Sequence, residues 1–120
     1  MTANVAAAAA FLDALKKKDL SQAPLANSLT YKSPLSGEPV QGRDQVIRYL
    51  DTYLPVINDV RVSRHIADGD HVATVWQADT SFGPLSVAYV FRVEDGKITE
   101  IQGFYDPRGF LERMGTYRGA

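Results

Sequence analysis

Apolar residues recur at three- and four-residue spacing in two stretches of the chain, over residues 3–18 and 43–54. This spacing places them on one face, so both stretches are predicted to be amphipathic helices. Pro55 ends the second helix, because proline cannot continue the helical hydrogen-bond ladder. Between the two helices, the sequence predicts a short helix within residues 19–26 limited by Pro24, a strand over 28–33 and a loop over 34–41.

After Pro55 the pattern changes from the period of a helix to the alternation that is typical of strands. Asp-Gly and Gly-Pro sequences, which favour turns, separate the alternating runs. We therefore predict an antiparallel meander with strands over residues 59–67, 71–80, 85–94 and 98–105. Beyond it, Asp106 and Pro107 predict the start of a last helix and Gly115 its end. Helices followed by a meander indicate the α+β class.

The register of the meander decides which side chains point inward. If each Asp-Gly turn is a three-residue loop with a left-handed glycine, Arg92 lies opposite Glu100 and Phe91 opposite Ile101. A two-residue loop would set Phe91 against Glu100, which is a poorer pair, so we take the first register. It pairs Val62 with Trp76, Ile66 with Val72 and Val60 with Ala78.

In this register both faces of the sheet are rich in apolar residues. The inward face carries Val60, Val62, Ile66, Val72, Thr74, Trp76, Ala78, Val87, Tyr89, Phe91, Val93, Ile101, Gly103 and Tyr105, with Arg64 near the edge. The outward face carries Ala73, Val75, Ala88, Val90 and Phe104. Because helices cover only one face, the second apolar face predicts a homodimer.

Composition excludes several classes of protein. The 120 residues predict a single domain over 1–120, and 45% hydrophobic with 22% charged residues is ordinary for a globular chain. The 13 basic and 14 acidic residues form no basic stripe, so we expect no nucleic-acid partner. The absence of cysteine excludes disulfides and thiolate metal sites. The N-terminal apolar run is interrupted at Asp13 and is too short to span a bilayer, so we expect a cytoplasmic protein without a membrane partner.

The order of the predicted elements and four local sequences carry a family resemblance. These sequences are Ala14-Leu15 through Asp19-Leu20, Gly42-Arg43-Asp44, residues 66–72 (IADGDHV) and residues 91–98 (FRVEDGKI). Over nearly its whole length the chain resembles the nuclear-transport-factor-2-like superfamily, including its SnoaL-like polyketide cyclases. The resemblance implies a cone-shaped α+β barrel, whose curved and mostly antiparallel sheet wraps round the N-terminal helices and leaves a pocket at its wide end. It does not imply one activity, because this fold hosts isomerases, cyclases, hydrolases, dehydratases and binding modules.

The catalytic groups of the related enzymes are missing from the matching positions. Ketosteroid isomerases use a tyrosine, a carboxylate base and a protonated carboxylic acid. The resemblance places these groups at positions that in this chain are Phe11, Ser33 and Tyr89. Limonene-epoxide hydrolases place an Asp-Arg-Asp set at positions that match Ala78, Trp76 and Gly103; of their water-holding residues, a tyrosine is kept at Tyr31 and an asparagine is replaced at Ser33. The working carboxylate of SnoaL-like cyclases also has no counterpart inside the predicted cone. Neither of the first two chemistries is therefore expected in its usual form.

The inward polar groups that remain are hydroxyls and one indole nitrogen in apolar surroundings. Such donors suit a small ligand with a carbonyl, epoxide or phenolic oxygen. The candidate catalytic residues are Tyr89, then Tyr31 and Tyr105, and the candidate ligand-binding residues are Phe11, Ser33, Tyr53, Trp76, Ala78, Phe91 and Gly103. The alternative is that these aromatic residues simply fill the core.

Two histidines make only a weak metal signal, and no metal site is predicted. His65 and His71 fall on the outward face in the register chosen above. In the alternative register His65 would turn inward and become the natural general base.

The sequence thus predicts a protein that binds a small apolar molecule in the cone. As an enzyme it would be a cofactor-free isomerase, cyclase, dehydratase or epoxide-opening hydrolase in which tyrosine hydroxyls act on a developing oxyanion. The alternative is a non-catalytic ligand-binding or dimerisation module that has kept the fold without the carboxylates.

Overall fold

The computed structural model describes residues 2–109 and 111–113. Helix α1 spans Ala3–Lys17 and begins at Thr2, whose hydroxyl accepts a hydrogen bond from the Val5 backbone N–H. Lys18 ends it in the left-handed conformation, with φ of 60°. The predicted helix is confirmed to within one residue.

The segment after α1 contains less helix and more strand than predicted. A single 3-10 turn over Leu20–Gln22 follows α1, and strand β1 spans Leu25–Lys32. Pro24 accounts for the difference, because proline disfavours the helical conformation in the residue before it. Strand β1 can therefore begin directly after Pro24.

Helix α2 spans Arg43–Asp51, preceded by the two-residue strand β2, Val40–Gln41, inside the predicted loop. The prediction that this helix reaches residue 54 was wrong. The chain leaves α2 at Thr52 and forms a separate 3-10 turn over Leu54–Val56, with Pro55 in its first turn. Proline is well suited to the start of such a turn and unsuited to the interior of a helix.

The strands form one curved sheet that does not close. The meander strands are β3 (Ile57–Asp68), β4 (His71–Thr80), β5 (Gly83–Glu94) and β6 (Lys97–Phe104). The order across the sheet is β2-β1-β6-β5-β4-β3, and β1 lies parallel to β6 while the other neighbours are antiparallel. The predicted α+β fold with a curved, mostly antiparallel sheet is confirmed.

The first hairpin corrects the predicted register at its turn end. Val62 lies opposite Trp76 and Val60 opposite Ala78, as predicted. Ile66, however, pairs with Ala73 rather than Val72, because the turn is a two-residue loop and a bulge at residue 63 absorbs the offset. A bulge reverses the facing of every residue beyond it, so Ile66 and Arg64 leave the predicted inward face and His65 enters it.

The last hairpin has the predicted register for a different reason. Arg92 lies opposite Glu100 and Phe91 opposite Ile101. The loop has only two residues, Asp95 and Gly96, with φ of 51° and 76°. A bulge at residue 99 then restores the predicted pairs. Two left-handed residues are the conformation of the tight hairpin turn that Asp-Gly favours.

The core lies between the helices and the concave face of the sheet. Helix α1 places Phe11, Leu12 and Leu15 there, all but fully buried. The sheet contributes alternate residues of β4, β5 and β6, such as Val72 and Phe91. The amphipathic pattern of the helix and the alternation of the strands thus meet in one apolar interior.

The convex face of the sheet keeps an apolar strip that nothing in the described chain covers. Phe104 is 49% exposed, Ile66 54% and Val75 40%.

After the last strand, the Asp106 carboxylate accepts a hydrogen bond from the Arg108 backbone N–H, as expected for the start of a helix. Gly115 lies outside the described residues. No helix of the described chain is long and apolar enough to cross a membrane.

Candidate functional site

A cavity of about 70 Å³ lies between the concave face of the sheet, α2 and the 3-10 turn that follows α2. Six aromatic side chains form much of its wall, and we call it the aromatic cavity: Tyr31, Tyr49, Tyr53, Trp76, Tyr89 and Tyr105. Aliphatic residues and Thr80 complete the wall: Leu15, Leu35, Leu50, Val56, Ile57, Ala78, Leu85 and Val87. The cavity therefore offers an apolar surface with several hydroxyl groups.

Two buried phenols form a hydrogen-bonded pair at this cavity. The hydroxyl oxygens of Tyr31 and Tyr89 lie 3.0 Å apart, and their rings meet edge to face. Burial raises the pKa of Tyr31 to about 12, while its hydrogen bond with Tyr89 acts in the opposite direction. Burial, and then the neighbouring Tyr31, raise the pKa of Tyr89 well above its ordinary value. Both phenols are un-ionised at neutral pH and can act as hydrogen-bond donors.

A second hydroxyl pair stands at the more open side of the same cavity. Tyr105, half-buried, donates a hydrogen bond of 3.2 Å to the Ser33 hydroxyl. Burial raises the pKa of Tyr105, although its bond with Ser33 lowers it. Ser33 is fixed in turn by Ser36, whose hydroxyl accepts a bond of 2.8 Å from the Ser33 backbone N–H. The tight turn after β1 thus orients Tyr105.

Among the described residues, the wall of the aromatic cavity contains no acid or base of the ordinary catalytic kind. None of the residues that line it is an aspartate, a glutamate, a histidine, a lysine or an arginine. Burying such a charge without a partner would cost several kcal/mol, so an apolar cavity of this kind favours an uncharged ligand. The groups available for chemistry are phenolic hydroxyls, the Thr80 hydroxyl and the Trp76 indole nitrogen.

Comparison with protein-family models gives the family of this chain. The SnoaL-like domain model matches residues 8–101, which covers most of the sequence. The chain belongs to the SnoaL-like domain family. A search of curated proteins found no match to it.

Solved structures agree with this assignment at the level of the fold. A protein from Kribbella flavida has a TM-score of 0.90 at 18% identity, and the match covers 100% of both chains. An NTF2-like protein from Cytophaga hutchinsonii has a TM-score of 0.78 at 16% identity, over 90% of this chain and 94% of the other. A steroid delta-isomerase from Pseudomonas aeruginosa has a TM-score of 0.74 at 24% identity, over 100% of this chain and 97% of the other. The chain has the NTF2-like fold predicted from its sequence.

Most of the site residues predicted for this SnoaL-like domain line the aromatic cavity. Those that do are Tyr31, Tyr53, Trp76, Ala78, Tyr89 and Tyr105. Phe11 and Phe91 lie behind the wall and are fully buried. Their ring centroids lie 6.1 Å and 5.7 Å from that of Tyr89. Ser33 holds Tyr105, and Gly103 lies beneath the Tyr89 ring. These four residues support the wall and do not face the cavity.

Sequence reasoning missed several residues of the wall, of which Tyr49 and Thr80 carry polar groups. Tyr49 lies in the stretch predicted to be the second amphipathic helix and was not among the candidate site residues. Its ring centroid lies 5.7 Å from that of Tyr31 and 5.3 Å from that of Tyr53. Burial, and then the neighbouring Tyr53, raise the pKa of Tyr49. The signal that was available is the amphipathic helix itself: a tyrosine on a core-facing stripe brings a hydroxyl into the interior.

The histidines lie outside the aromatic cavity. His65 is on the concave face, contrary to the prediction, and its Nδ1 lies 2.7 Å from the Thr74 hydroxyl oxygen. It borders a separate, shallow groove between α1 and β3, and burial lowers its pKa. His71 is on the convex face, with Nδ1 2.7 Å from an Asp70 carboxylate oxygen. Within the described residues, no three histidine or carboxylate side chains are grouped as metal ligands.

Proposed function

We propose that this SnoaL-like domain binds a compact, uncharged organic molecule in the aromatic cavity and stabilises negative charge on one of its oxygens. The observation that carries the proposal is the hydrogen-bonded pair of Tyr31 and Tyr89 at an apolar cavity. A carbonyl, epoxide or phenolic oxygen is the group that such donors recognise.

The two phenols act as one donor unit. In the proposed arrangement Tyr89 donates to Tyr31, so that Tyr31 keeps its own hydrogen for the ligand. A hydroxyl that accepts a hydrogen bond becomes a stronger donor, and the low dielectric of a closed cavity strengthens the effect. The donors are already in place before reaction, so they stabilise a developing oxyanion without reorganisation. Tyr105, anchored on Ser33, supplies a further donor near the open side.

The missing base limits the reaction to steps that need acid assistance only. None of the cavity-lining side chains in the described part of the chain is a base at neutral pH. Cyclisation, isomerisation, dehydration or epoxide opening of a molecule that is already reactive fits this limit, with no cofactor. The same absence favours a second candidate function, a binding module without catalysis.

The size of the cavity favours a ligand with a single ring. An apolar cavity of about 150 Å³ binds benzene, whereas the aromatic cavity measures only about 70 Å³, so even a single-ring ligand would extend through its open mouth. A four-ring steroid would place most of its surface outside. We therefore propose a smaller substrate class than the name of the Pseudomonas aeruginosa isomerase gives for that protein.

The test is a thermal-shift screen with small cyclic ketones, epoxides and phenols, followed by assays for turnover of each ligand found. A ligand at a hundredfold excess over its Kd should stabilise the protein by about 2.7 kcal/mol. Ala78→Trp should abolish binding, because the indole would fill the cavity. Tyr31→Phe should weaken binding about fivefold, the worth of one hydrogen bond, and reduce any turnover by at least about a hundredfold.

The matched control is Ser86→Ala, a hydroxyl deletion at an exposed position of β5, which should leave binding unchanged. A ligand that binds the Ala78→Trp variant as tightly as the unmodified protein would contradict the proposed location. Binding that depends on Tyr31 without any turnover would establish the non-catalytic alternative.

We also propose that two copies of the chain associate through the convex face of the sheet. The exposed side chains of Ile66, Val75 and Phe104 lie on that face, and burying them removes apolar area from water. The cytoplasmic location and the absence of nucleic-acid and membrane partners stay predictions from the sequence.

A further inference from the structure

The indole nitrogen of Trp76 is a buried donor without a partner. In the described part of the chain, only two buried side-chain polar atoms lack a hydrogen bond, the Tyr49 hydroxyl and Trp76 Nε1. An indole N–H can only donate a hydrogen bond. Unlike a hydroxyl, it cannot rotate its hydrogen towards another partner or act as an acceptor instead. A buried donor left unpaired destabilises the protein that contains it.

Trp76, which carries this unpaired N–H, lies in the wall of the aromatic cavity. Elsewhere in the described interior, buried polar side chains have partners, as Thr74 has in His65 and Ser33 in Tyr105. The unpaired indole N–H therefore belongs to a residue of the cavity where a ligand is proposed to bind. A phenylalanine at position 76 would cover the same wall without an unpaired N–H.

We propose that Trp76 Nε1 donates a hydrogen bond to a second oxygen of the ligand, separate from the oxygen that Tyr31 contacts. The inference rests on the proposed function and narrows its substrate class. The ligand is a ring compound with two oxygen groups, such as a hydroxyaryl ketone or a cyclic dione. Trp76 is then a specificity-determining residue, and it selects against molecules that have only one oxygen.

The position of Trp76 is consistent with this role. The ring centroids of Trp76 and Tyr89 lie 5.2 Å apart, and the two ring planes make an angle of 66°. Trp76 therefore lies next to the pair of phenols. Its nitrogen is closed to water in the empty protein. A small rotation of the indole towards an entering acceptor pairs the nitrogen, and the free energy lost in the empty protein is recovered as affinity.

The experiment uses two probes that differ by one oxygen, 4′-hydroxyacetophenone and acetophenone. The chain contains a single tryptophan, so its indole N–H gives one unambiguous resonance in a proton–nitrogen correlation spectrum. We expect this resonance to move downfield on titration with 4′-hydroxyacetophenone and to lack that downfield shift with acetophenone. We expect Trp76→Phe to weaken 4′-hydroxyacetophenone about fivefold and to leave the Kd of acetophenone within about twofold.

The outcomes separate this inference from the proposed function. If both probes bind and Tyr31→Phe weakens them, but the indole resonance shows no downfield shift or Trp76→Phe weakens both probes equally, the role of Trp76 is overturned and the proposed function stands. If neither probe binds the folded protein, both are overturned. Should Trp76→Phe fail to fold, the resonance of the unmodified protein still decides the question.

Discussion

At the scale of single residues, the position of the Tyr89 ring depends on the absence of a side chain at Gly103. The two residues are paired across β5 and β6. A Cβ atom at position 103 would lie 2.8 Å from the Cε1 atom of Tyr89 and 3.4 Å from the Cβ atom of Ser33. The sequence analysis counted Gly103 among the candidate ligand-binding residues. In the structure the Tyr89 ring occupies the space beside Gly103.

Gly103→Ala is therefore expected to displace the Tyr89 ring and disturb its bond to Tyr31. Overpacking a well-filled core costs about 1–3 kcal/mol, so the free energy of unfolding should fall by that amount in urea denaturation. Binding of a cavity ligand should weaken as well. The control is Gly109→Ala, where an added Cβ meets nothing within 4 Å. That variant should be neutral or slightly stabilised, because alanine favours the helical conformation found there. Equal stability of the two variants would contradict this role of Gly103.

At the scale of the elements, a bulge in β3 decides the face on which His65 lies. Val62 pairs with Trp76 and Arg64 with Val75, so residue 63 has no partner on β4. The strand beyond the bulge keeps its alternation but with the opposite facing. This places His65 against the buried Thr74 and exposes Ile66 on the convex face.

Deletion of Ser63 is expected to leave the fold intact. Without this residue Val62 and Arg64 become neighbours, and the pairs on both sides form one regular ladder with β4. We expect a loss of less than about 2 kcal/mol in the free energy of unfolding, with cavity binding retained. Deletion of Gln77 from β4 is the contrasting case, because β4 is paired on both sides and the inward residues on one side of the deletion would change face. Circular dichroism and urea denaturation of both variants test this, and unfolding of the Ser63 deletion would show that the bulge is required.

At the scale of the whole molecule, the buried phenols make stability depend on alkaline pH. The pKa of Tyr31 is about 12 in the folded protein against 10.0 in its ordinary state, and burial also raises those of Tyr49 and Tyr89. A raised pKa favours the neutral form in the folded state. The unfolded chain loses these protons first as the pH rises, so stability is fully present below pH 10 and falls between pH 10 and about 12.

We expect Tyr31 alone to contribute a loss of roughly 3 kcal/mol across this interval, since each unit of pKa shift corresponds to about 1.4 kcal/mol. Urea denaturation at several pH values above neutrality measures it. Tyrosinate absorbance should rise together with unfolding for the buried phenols. In Tyr31→Phe the fall in stability should be smaller. A fall of the same size in that variant would mean that Tyr31 is not responsible.

The proposed dimer is also a property of the whole molecule. Phe104→Lys puts a charge in the exposed apolar strip, so the apparent mass in light scattering should change from that of two chains to that of one. Lys97→Ala, at the exposed end of the same strand, is the control and should remain dimeric. A single-chain mass for the unmodified protein at micromolar concentration would contradict the proposal.

The sequence by itself determined the order and type of most elements. The helix period over α1, the alternation of the meander and the Asp-Gly turns are local signals, because each depends on residues close together in the chain. The alternation of the strands also predicted that Trp76 and several tyrosines would lie inside, since aromatic residues at alternate strand positions are buried where the sheet is covered. Most of the predicted site residues accordingly line the aromatic cavity.

Only the tertiary structure decided how these side chains meet. The bulges at residues 63 and 99 have no local sequence signal, because they reconcile turn geometry with packing across strands. The hydrogen bond between Tyr31 and Tyr89 links β1 to β5, two strands that are distant from each other in the sequence. The entry of Tyr49 into the cavity wall and the isolation of the Trp76 nitrogen depend on the same long-range packing. Hydrogen bonds and cavities are properties of distances between elements, whereas a pattern along one chain indicates only which residues share a face between one bulge and the next.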